Sequence, residues 1–200
     1  DFSTSTVVTS NITVYARWTA NTYTVSFDTQ GGTTPSSEPQ TVTFDSAYGV
    51  LPVVSKEGHS FIGWFTAALG GDKVEAATPV TATDDHTIYA QWVANTYTVT
   101  FNAQGGIPSP EQQTVAYDST YGELPEVNKV GHSFLGWFTA ASGGAKVEVA
   151  TPVTATNDHT LYAQWVADTY IVTFDAQGGI PSPDTKLVTY DSTYGSLPKV

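Results

Sequence analysis

The sequence predicts a mainly β fold that is divided into tandem small domains of about 73 residues. Two observations support this prediction. Apolar and polar residues alternate over short runs, which is the pattern of a β-strand with one buried face. In addition, residues 77–100, ATPVTATDDHTIYAQWVANTYTVT, return at 150–173 as ATPVTATNDHTLYAQWVADTYIVT, with 20 of 24 positions identical. A recurrence at this spacing is typical of chains that place small domains in a row.

The elements of one repeat follow from local patterns. TYTVTFN and TVAYD alternate with a period of two around a Gly-Gly and proline break, so we expect a hairpin with a long loop. DSTYGELPEV has a capping Asp and Ser ahead of Gly122 and Pro125, which predicts at most a short helix or a compact loop. HSFLGWFTA predicts a third strand, KVEVA a short fourth strand and TLYAQWVA the closing strand.

The repeats divide the chain into four parts. Residues 1–20 match the C-terminal part of a repeat, 21–94 and 95–167 are complete repeats, and 168–200 match the N-terminal part of a repeat. Only four residues separate Trp92 from Tyr97, which is too few for a flexible tether, so we expect a semi-rigid rod. We expect the partial repeats either to dock on neighbouring units or to belong to a longer array.

Nearly all aromatic residues fall in columns that recur with the repeat, so the fold dictates their spacing. A unit of this size without a disulfide or a metal needs their buried area to be stable. The residues that we expect in the structural cores are Trp18, Tyr23, Phe27, Phe61, Trp64, Trp92, Tyr97, Phe101, Phe134, Trp137, Trp165, Tyr170 and Phe174.

Composition excludes several classes of protein. With 40% hydrophobic residues the chain is globular rather than disordered, and its net charge of −12 disfavours a nucleic-acid partner. There is no cysteine, so a disulfide framework, a thiolate zinc site and a cysteine nucleophile are ruled out. No apolar run approaches the roughly 18 residues of a membrane span, and we expect no membrane insertion in this segment.

The motifs F-x-x-x-GG, Y-G-x-L-P, F-x-G-W and a final Y-A-x-W occur together in each period. In this combination the chain resembles the Listeria-Bacteroides repeat family, which includes the B-repeat of internalin-type surface proteins. The resemblance covers the whole chain. It implies a small β-grasp-like domain of the α+β type, secretion to a bacterial surface and tandem use in stalks or adhesins, and it implies no catalytic residues. At His59 and His132 this sequence departs from the aromatic residue that is usual in the family.

Candidate sites have simpler structural explanations. His59-Ser60 and His132-Ser133 are strand neighbours that point to opposite faces, so neither pair forms a catalytic dyad. The DDHT and NDHT segments contain oxygen and imidazole ligands, but solvated turns explain them better than metal sites. The glycine-rich turns lack the Lys-Ser/Thr of a phosphate cradle. Lys73 and Glu75, two residues apart, predict a surface ion pair worth under about 1 kcal/mol, as do their counterparts in the next repeat.

We therefore expect a non-catalytic structural repeat segment of a bacterial cell-surface or extracellular protein, acting as a stalk, spacer or fibre building block, with no cofactor and no metal. The alternative is an adhesin-type module that binds a glycan or a host surface protein through exposed aromatics and loops. The expected partners are neighbouring repeats of the same or an identical chain. His59 and His132 remain candidate contact or pH-sensitive positions, because a titratable ring replaces an aromatic one there.

Overall fold

The computed structural model describes residues 3–35, 39–108, 110–181 and 183–199. The chain forms two compact units, one made of residues 1–56 and 61–93 and the other of residues 57–60 and 94–200.

The first unit is built on one five-stranded sheet. Its strands are β1 Thr22–Asp28, β2 Gln40–Thr43, β3 His59–Phe65, β4 Lys73–Val74 and β5 His86–Ala94, in the order β2-β1-β5-β3-β4; the first residues of β3 cluster with the other unit. β1 runs antiparallel to β2 and parallel to β5, and β3 is antiparallel to β4. The predicted hairpin, third strand and short fourth strand are therefore confirmed.

The second unit repeats this sheet and adds a hairpin. Its strands are β6 Thr96–Asn102, β7 Gln112–Ala116, β8 His132–Phe138, β9 Lys146–Val147 and β10 His159–Ala167, in the order β7-β6-β10-β8-β9. The closing strand β10 lies in the centre of the sheet, where it pairs with β6 in parallel and with β8 antiparallel. The following strands, β11 Thr169–Thr173 and β12 Thr185–Thr189, form an antiparallel two-stranded sheet.

Each five-stranded sheet buries one face of alternating residues. In the second unit the buried side chains include Val99, Phe101, Trp137, Val153 and Leu161. Trp137 contacts Phe101 edge to face, with 4.9 Å between the ring centroids, and donates its indole N–H to the carbonyl of Pro125. The first unit has the same arrangement around Trp64. The chain therefore belongs to the all-β class in its described part.

Of the two alternatives predicted for the 118–127 segment, the compact loop is confirmed and the short helix is not. No described residue is helical, and the 118–127 segment is a loop that carries a bridge between Thr120 and Pro152. Asp118 and Gly122 both adopt positive φ, 59° and 69°, and two left-handed residues four positions apart interrupt a helix. The α+β and β-grasp-like details are accordingly not confirmed. None of the described residues forms a helix with the length and apolar character that a membrane span requires.

Four of the predicted core residues are exposed in the structure, so their assignment to the core is corrected. Trp18 is 89% exposed because residues 3–21 join no sheet, so nothing covers its ring. Tyr170 is 51% exposed because it lies on β11, whose only partner strand among the described residues is β12. Phe61 and Phe134 are each 39% exposed and lie at the core margin, where Phe134 contacts Trp137 and Trp165. Trp64, Phe27, Phe101 and Trp137 are buried, whereas Tyr23, Trp92, Tyr97, Trp165 and Phe174 are partly buried.

Candidate functional site

The histidine that departs from the usual aromatic residue contacts the start of the next repeat. His132 is the first residue of β8, and its ring meets the ring of Tyr190 edge to face with 5.6 Å between the centroids. Its Nδ1–H donates to the carbonyl of Val130 at 2.9 Å, which fixes the imidazole plane. Tyr190 directly follows β12, so this contact joins β8 to the β11–β12 hairpin inside the second unit.

A single residue, Asp168, connects β10 to β11, and it is bonded on both sides. Its amide donates to the carbonyl of Gly131 at 2.9 Å, and its own carbonyl accepts the amide of Tyr190 at 2.8 Å. The hydroxyl of Ser133 donates to its carboxylate at 2.7 Å. Residues 131–133, Asp168 and Tyr190 are called the junction cluster below.

Gly131 is required by the junction cluster for two reasons. Its φ is 67°, a conformation that costs an L-residue roughly 1–2 kcal/mol. A Cβ at this position would also overlap the ring carbons of Tyr190, which lies directly over the glycine. The close approach of ring and backbone therefore excludes every other residue without a rearrangement.

The second unit contains the same cluster a second time, around Asn95. The amide of Asn95 donates to Gly58 at 2.8 Å, its carbonyl accepts from Tyr117 at 2.9 Å, and the hydroxyl of Ser60 donates to its side chain at 2.6 Å. His59 meets Tyr117 with 5.6 Å between ring centroids. Burial, and after it the charge of Glu57, raises the pKa of Tyr117. His59 and Ser60 thus have different partners.

The remaining histidines are structural as well. Nδ1–H of His159 donates to the carbonyl of Asn157 at 3.1 Å, so Nε2 accepts the hydroxyl of Tyr121 at 2.8 Å. Burial raises the pKa of Tyr121. In the first unit His86 and Tyr48 make the same pair at 2.7 Å. Sequence reasoning missed these pairs, although both residue types recur at the repeat spacing.

The aspartate that precedes the histidine in the DDHT and NDHT segments accepts a hydrogen bond from a backbone amide of a neighbouring strand. Asp85 accepts the amide of Thr24 at 2.7 Å, and Asp158 accepts the amide of Thr98 at the same distance. In the part of the chain that the structure describes, no three His, Asp or Glu side chains are grouped closely enough to hold a metal ion. The predicted surface ion pair is confirmed: Lys73 and Glu75 lie 3.7 Å apart, with both side chains at least half exposed.

A shallow apolar groove recurs in both complete repeats. In the second unit the loop at 124–128, β8 and β9 enclose about 510 Å³ over Phe134 and Trp137. In the first unit the corresponding loop and strands enclose about 340 Å³ over Phe61 and Trp64. Phe61 and Phe134, which are each 39% exposed, are the accessible aromatic side chains of these grooves.

A separate pocket of about 480 Å³ in the second unit is polar. Its walls include Gln104, Lys129, His132, Ser142, Gln164 and Trp165. Lys129 donates to the carbonyl of Gln104 at 3.1 Å, and its ammonium lies 6.0 Å from the ring centroid of Trp165. Sequence reasoning missed this pocket, although Lys, Gln and Trp recur at these positions in both repeats.

Comparison with known proteins places the repeats in a family. The model of the Listeria-Bacteroides repeat domain matches residues 23–91 and 97–164, which together are more than half of the chain. A protein of Evansella cellulosilytica that is named as a membrane protein is 38% identical over 194 residues, covering 96% of this chain and 28% of the relative. Internalin H of Listeria monocytogenes is 40% identical over 111 residues, covering 56% of this chain and 20% of the relative.

The chain spans less than a third of the length of these relatives. The similarity therefore concerns the repeats, and it extends along almost the whole of this chain in the Evansella protein. The resemblance drawn from the motifs is confirmed: the chain belongs to the Listeria-Bacteroides repeat family.

Proposed function

We propose that this chain is a non-catalytic structural repeat segment of a bacterial cell-surface or extracellular protein, serving as a stalk, spacer or fibre building block. The family and the likeness to internalin H support a surface location. The observation on which the proposal rests is the junction cluster, in which one residue, Asp168, connects two strands and is hydrogen-bonded to both sides.

The junction cluster suits a load-bearing connection. A free linker of several residues would let the following hairpin rotate, whereas here the backbone of Asp168 and the ring of Tyr190 are both engaged. The same contacts occur around Asn95, so the device recurs with the repeat. Short bonded connections of this kind suit a tandem array, in which each repeat contacts its neighbours in sequence.

The roles of the histidines support a non-catalytic function. Each of the four donates a ring N–H to a nearby carbonyl and contacts a tyrosine ring, so their polar atoms contribute to folding. The contacts repeat from one domain to the next, which is the behaviour of a scaffold. The partners proposed for the chain are neighbouring repeats of the same or an identical chain.

Backbone ¹⁵N relaxation of the full chain tests the stalk proposal. The amides of Asp168 and Thr169 are expected to show the same heteronuclear NOE as the centre of β10, because both are inside one bonded network. Residues 7–9, which are exposed and join no strand, supply an internal comparison for amides outside any sheet. A heteronuclear NOE at Asp168 that matches residues 7–9 and falls below that of β10 would contradict the proposal.

The second candidate is adhesion, and the repeated apolar groove favours it. Phe61 and Phe134 lie at the same place in successive repeats, and weak sites in tandem gain avidity. Binding of the chain to a glycan array, lost after Phe134→Ala and retained after Trp18→Ala, would support adhesion. A chain that binds nothing on the array would leave only the structural role.

A further inference from the structure

The four lysines of the complete repeats fall into two classes. Lys73 and Lys146 each lie 3.7 Å from a glutamate two residues later. Lys56 and Lys129 form no ion pair with any described residue, although the chain has 19 acidic residues and 7 basic ones. The position of Lys56 and Lys129 therefore carries a cation without a counter-ion in both repeats, which is the arrangement expected of a site for an anionic ligand.

Lys129 is held in place without being neutralised. Its ammonium donates one hydrogen bond, to the carbonyl of Gln104, and lies over the ring of Trp165 at 6.0 Å from the ring centroid. An ammonium has three N–H donors, so two remain for a ligand. The side chain is partly buried, which strengthens the attraction between its charge and an anion that enters the pocket.

The surrounding side chains leave mostly acceptors exposed to the pocket. The side-chain amide nitrogen of Gln104 donates to the carbonyls of Ala141 and Ala163. That of Gln164 donates to two carbonyls of the 140–143 turn. Both side-chain oxygens are therefore available as acceptors. Nδ1 of His132 is bonded to Val130, which leaves Nε2. Ser142 adds a hydroxyl that can donate or accept.

We propose that the polar pocket around Lys129 binds a carboxylate-bearing sugar unit of an acidic glycan. The carboxylate pairs with the Lys129 ammonium, and the sugar hydroxyls donate to the oxygens of Gln104 and Gln164. Trp165, which lines the pocket, provides an apolar wall for the ring carbons. A sugar fits better than an acidic peptide because the pocket of about 480 Å³ presents two side-chain amide oxygens that accept hydrogen bonds from sugar hydroxyls.

The first repeat provides a natural comparison. The ammonium of Lys56 donates to the backbone carbonyl of Gln30 at 3.2 Å, as that of Lys129 does to Gln104. In the first repeat, however, the position of Ser142 is occupied by Leu69, which is 92% exposed. An exposed leucine replaces a hydrogen-bonding hydroxyl at the rim. The first repeat is therefore expected to bind the sugar more weakly than the second.

The inference rests on the adhesion alternative and is independent of the stalk. It is tested by titrating the full chain with sodium D-glucuronate, with D-glucose as the neutral comparison, while ¹H–¹⁵N shifts are followed. Glucuronate is expected to shift the signals of Lys129, Ser142 and the Trp165 indole, and glucose to bind at least several-fold more weakly. Lys129→Gln is expected to reduce glucuronate affinity about tenfold, which corresponds to the loss of one charge-assisted contact.

Lys146→Gln is the matched control, because it removes the same charge from a lysine that has its own glutamate. It is expected to leave glucuronate affinity unchanged, as is Lys129→Arg. Ser142→Leu, which copies the first repeat, is expected to weaken binding without unfolding the domain. Equal binding of glucose and glucuronate, an equal effect of Lys129→Gln and Lys146→Gln, or binding of a poly-glutamate peptide but not of glucuronate would each overturn the proposal.

The outcome is separable from that of the stalk proposal. The Lys129→Gln variant is expected to lose glucuronate affinity while the ¹⁵N relaxation of Asp168 stays unchanged, because no described hydrogen bond joins Lys129 to Asp168. A mobile Asp168 in a chain that still binds glucuronate would reject the stalk and keep the sugar site.

Discussion

The hydroxyl of Tyr121 lies 2.8 Å from Nε2 of His159, which is 38 residues further along the chain. Tyr48 and His86 make the same bond in the first unit across the same separation. Each pair ties the loop after the second strand to the start of the central closing strand. The bond is partly buried, so its loss would leave a polar imidazole atom without a partner in the fold.

The stability of the chain is expected to fall at alkaline pH because of these tyrosines. Burial raises the pKa of Tyr121 and Tyr48 above 10.0 in the folded state. The unfolded chain therefore loses its tyrosine protons first, so this contribution is fully present below about pH 10 and is lost as pH rises through the folded pKa. Urea unfolding between pH 8 and 11.5 measures the effect.

Tyr121→Phe separates this effect from general alkaline unfolding. The substitution is expected to lower the unfolding free energy by about 1 kcal/mol at pH 7 and to flatten the fall above pH 10 in the second unit. Tyr15→Phe is the control, since Tyr15 is 84% exposed. An unchanged alkaline slope in Tyr121→Phe would show that burial of this phenol does not set the pH dependence.

Removal of the hydroxyl of Ser133 is expected to weaken the junction cluster. Ser133→Ala deletes the 2.7 Å bond to the Asp168 carboxylate and should cost about 1 kcal/mol in protection of the β11–β12 hairpin from hydrogen exchange. Ser142→Ala, an exposed serine in the same unit, should cost nothing measurable. Equal protection in the two variants would mean that this bond contributes no stability.

The two tryptophan environments give opposite predictions. Trp137 is 2% exposed at the centre of the second unit, and Trp137→Ala is expected to cost about 3–5 kcal/mol through the cavity that it leaves. Trp18 is 89% exposed, and Trp18→Ala is expected to change the unfolding free energy by less than about 0.5 kcal/mol. Thermal unfolding compares them directly. A large effect of Trp18→Ala would restore its predicted place in a core.

The strands could be predicted from local patterns, because an alternation of apolar and polar residues with a period of two has one physical cause, the burial of one face of a sheet. The alternation of Tyr97, Val99 and Phe101 predicted β6, and the repeat placed the same strand in the other domain. Patterns gave the wrong result for Trp18, since a strand-like sequence does not reveal whether partner strands are present to cover it. The spacing of repeats could not show that Asp118 takes a left-handed conformation and prevents a helix.

Only part of the candidate site could be predicted from the sequence. His132 was recognisable as the unusual member of its column, but its partner, Tyr190, lies 58 residues further on in the following repeat. The Tyr121–His159 bond and the Lys129 pocket likewise join residues that are far apart in sequence. Recurrence at one spacing marks such residues as important to the fold, and only the three-dimensional arrangement shows which of them meet.

We expect close packing at the junction cluster to hold the β11–β12 hairpin to β8, and two glycines test this expectation. Gly131 and Gly143 have nearly the same φ, 67° and 66°, so an alanine costs roughly 1–2 kcal/mol of backbone strain at either position. They differ in surroundings: a Cβ at Gly131 meets the ring of Tyr190, and one at Gly143 meets nothing within 4 Å.

Hydrogen exchange of the β11–β12 amides in Gly131→Ala and Gly143→Ala is the most direct measurement. A two-stranded hairpin is marginal in water by itself, so displacing Tyr190 should remove its protection. We expect at least a tenfold loss of protection in Gly131→Ala, corresponding to about 1.4 kcal/mol, and none in Gly143→Ala. Equal protection of the hairpin in both variants would contradict the claim that the junction cluster holds it.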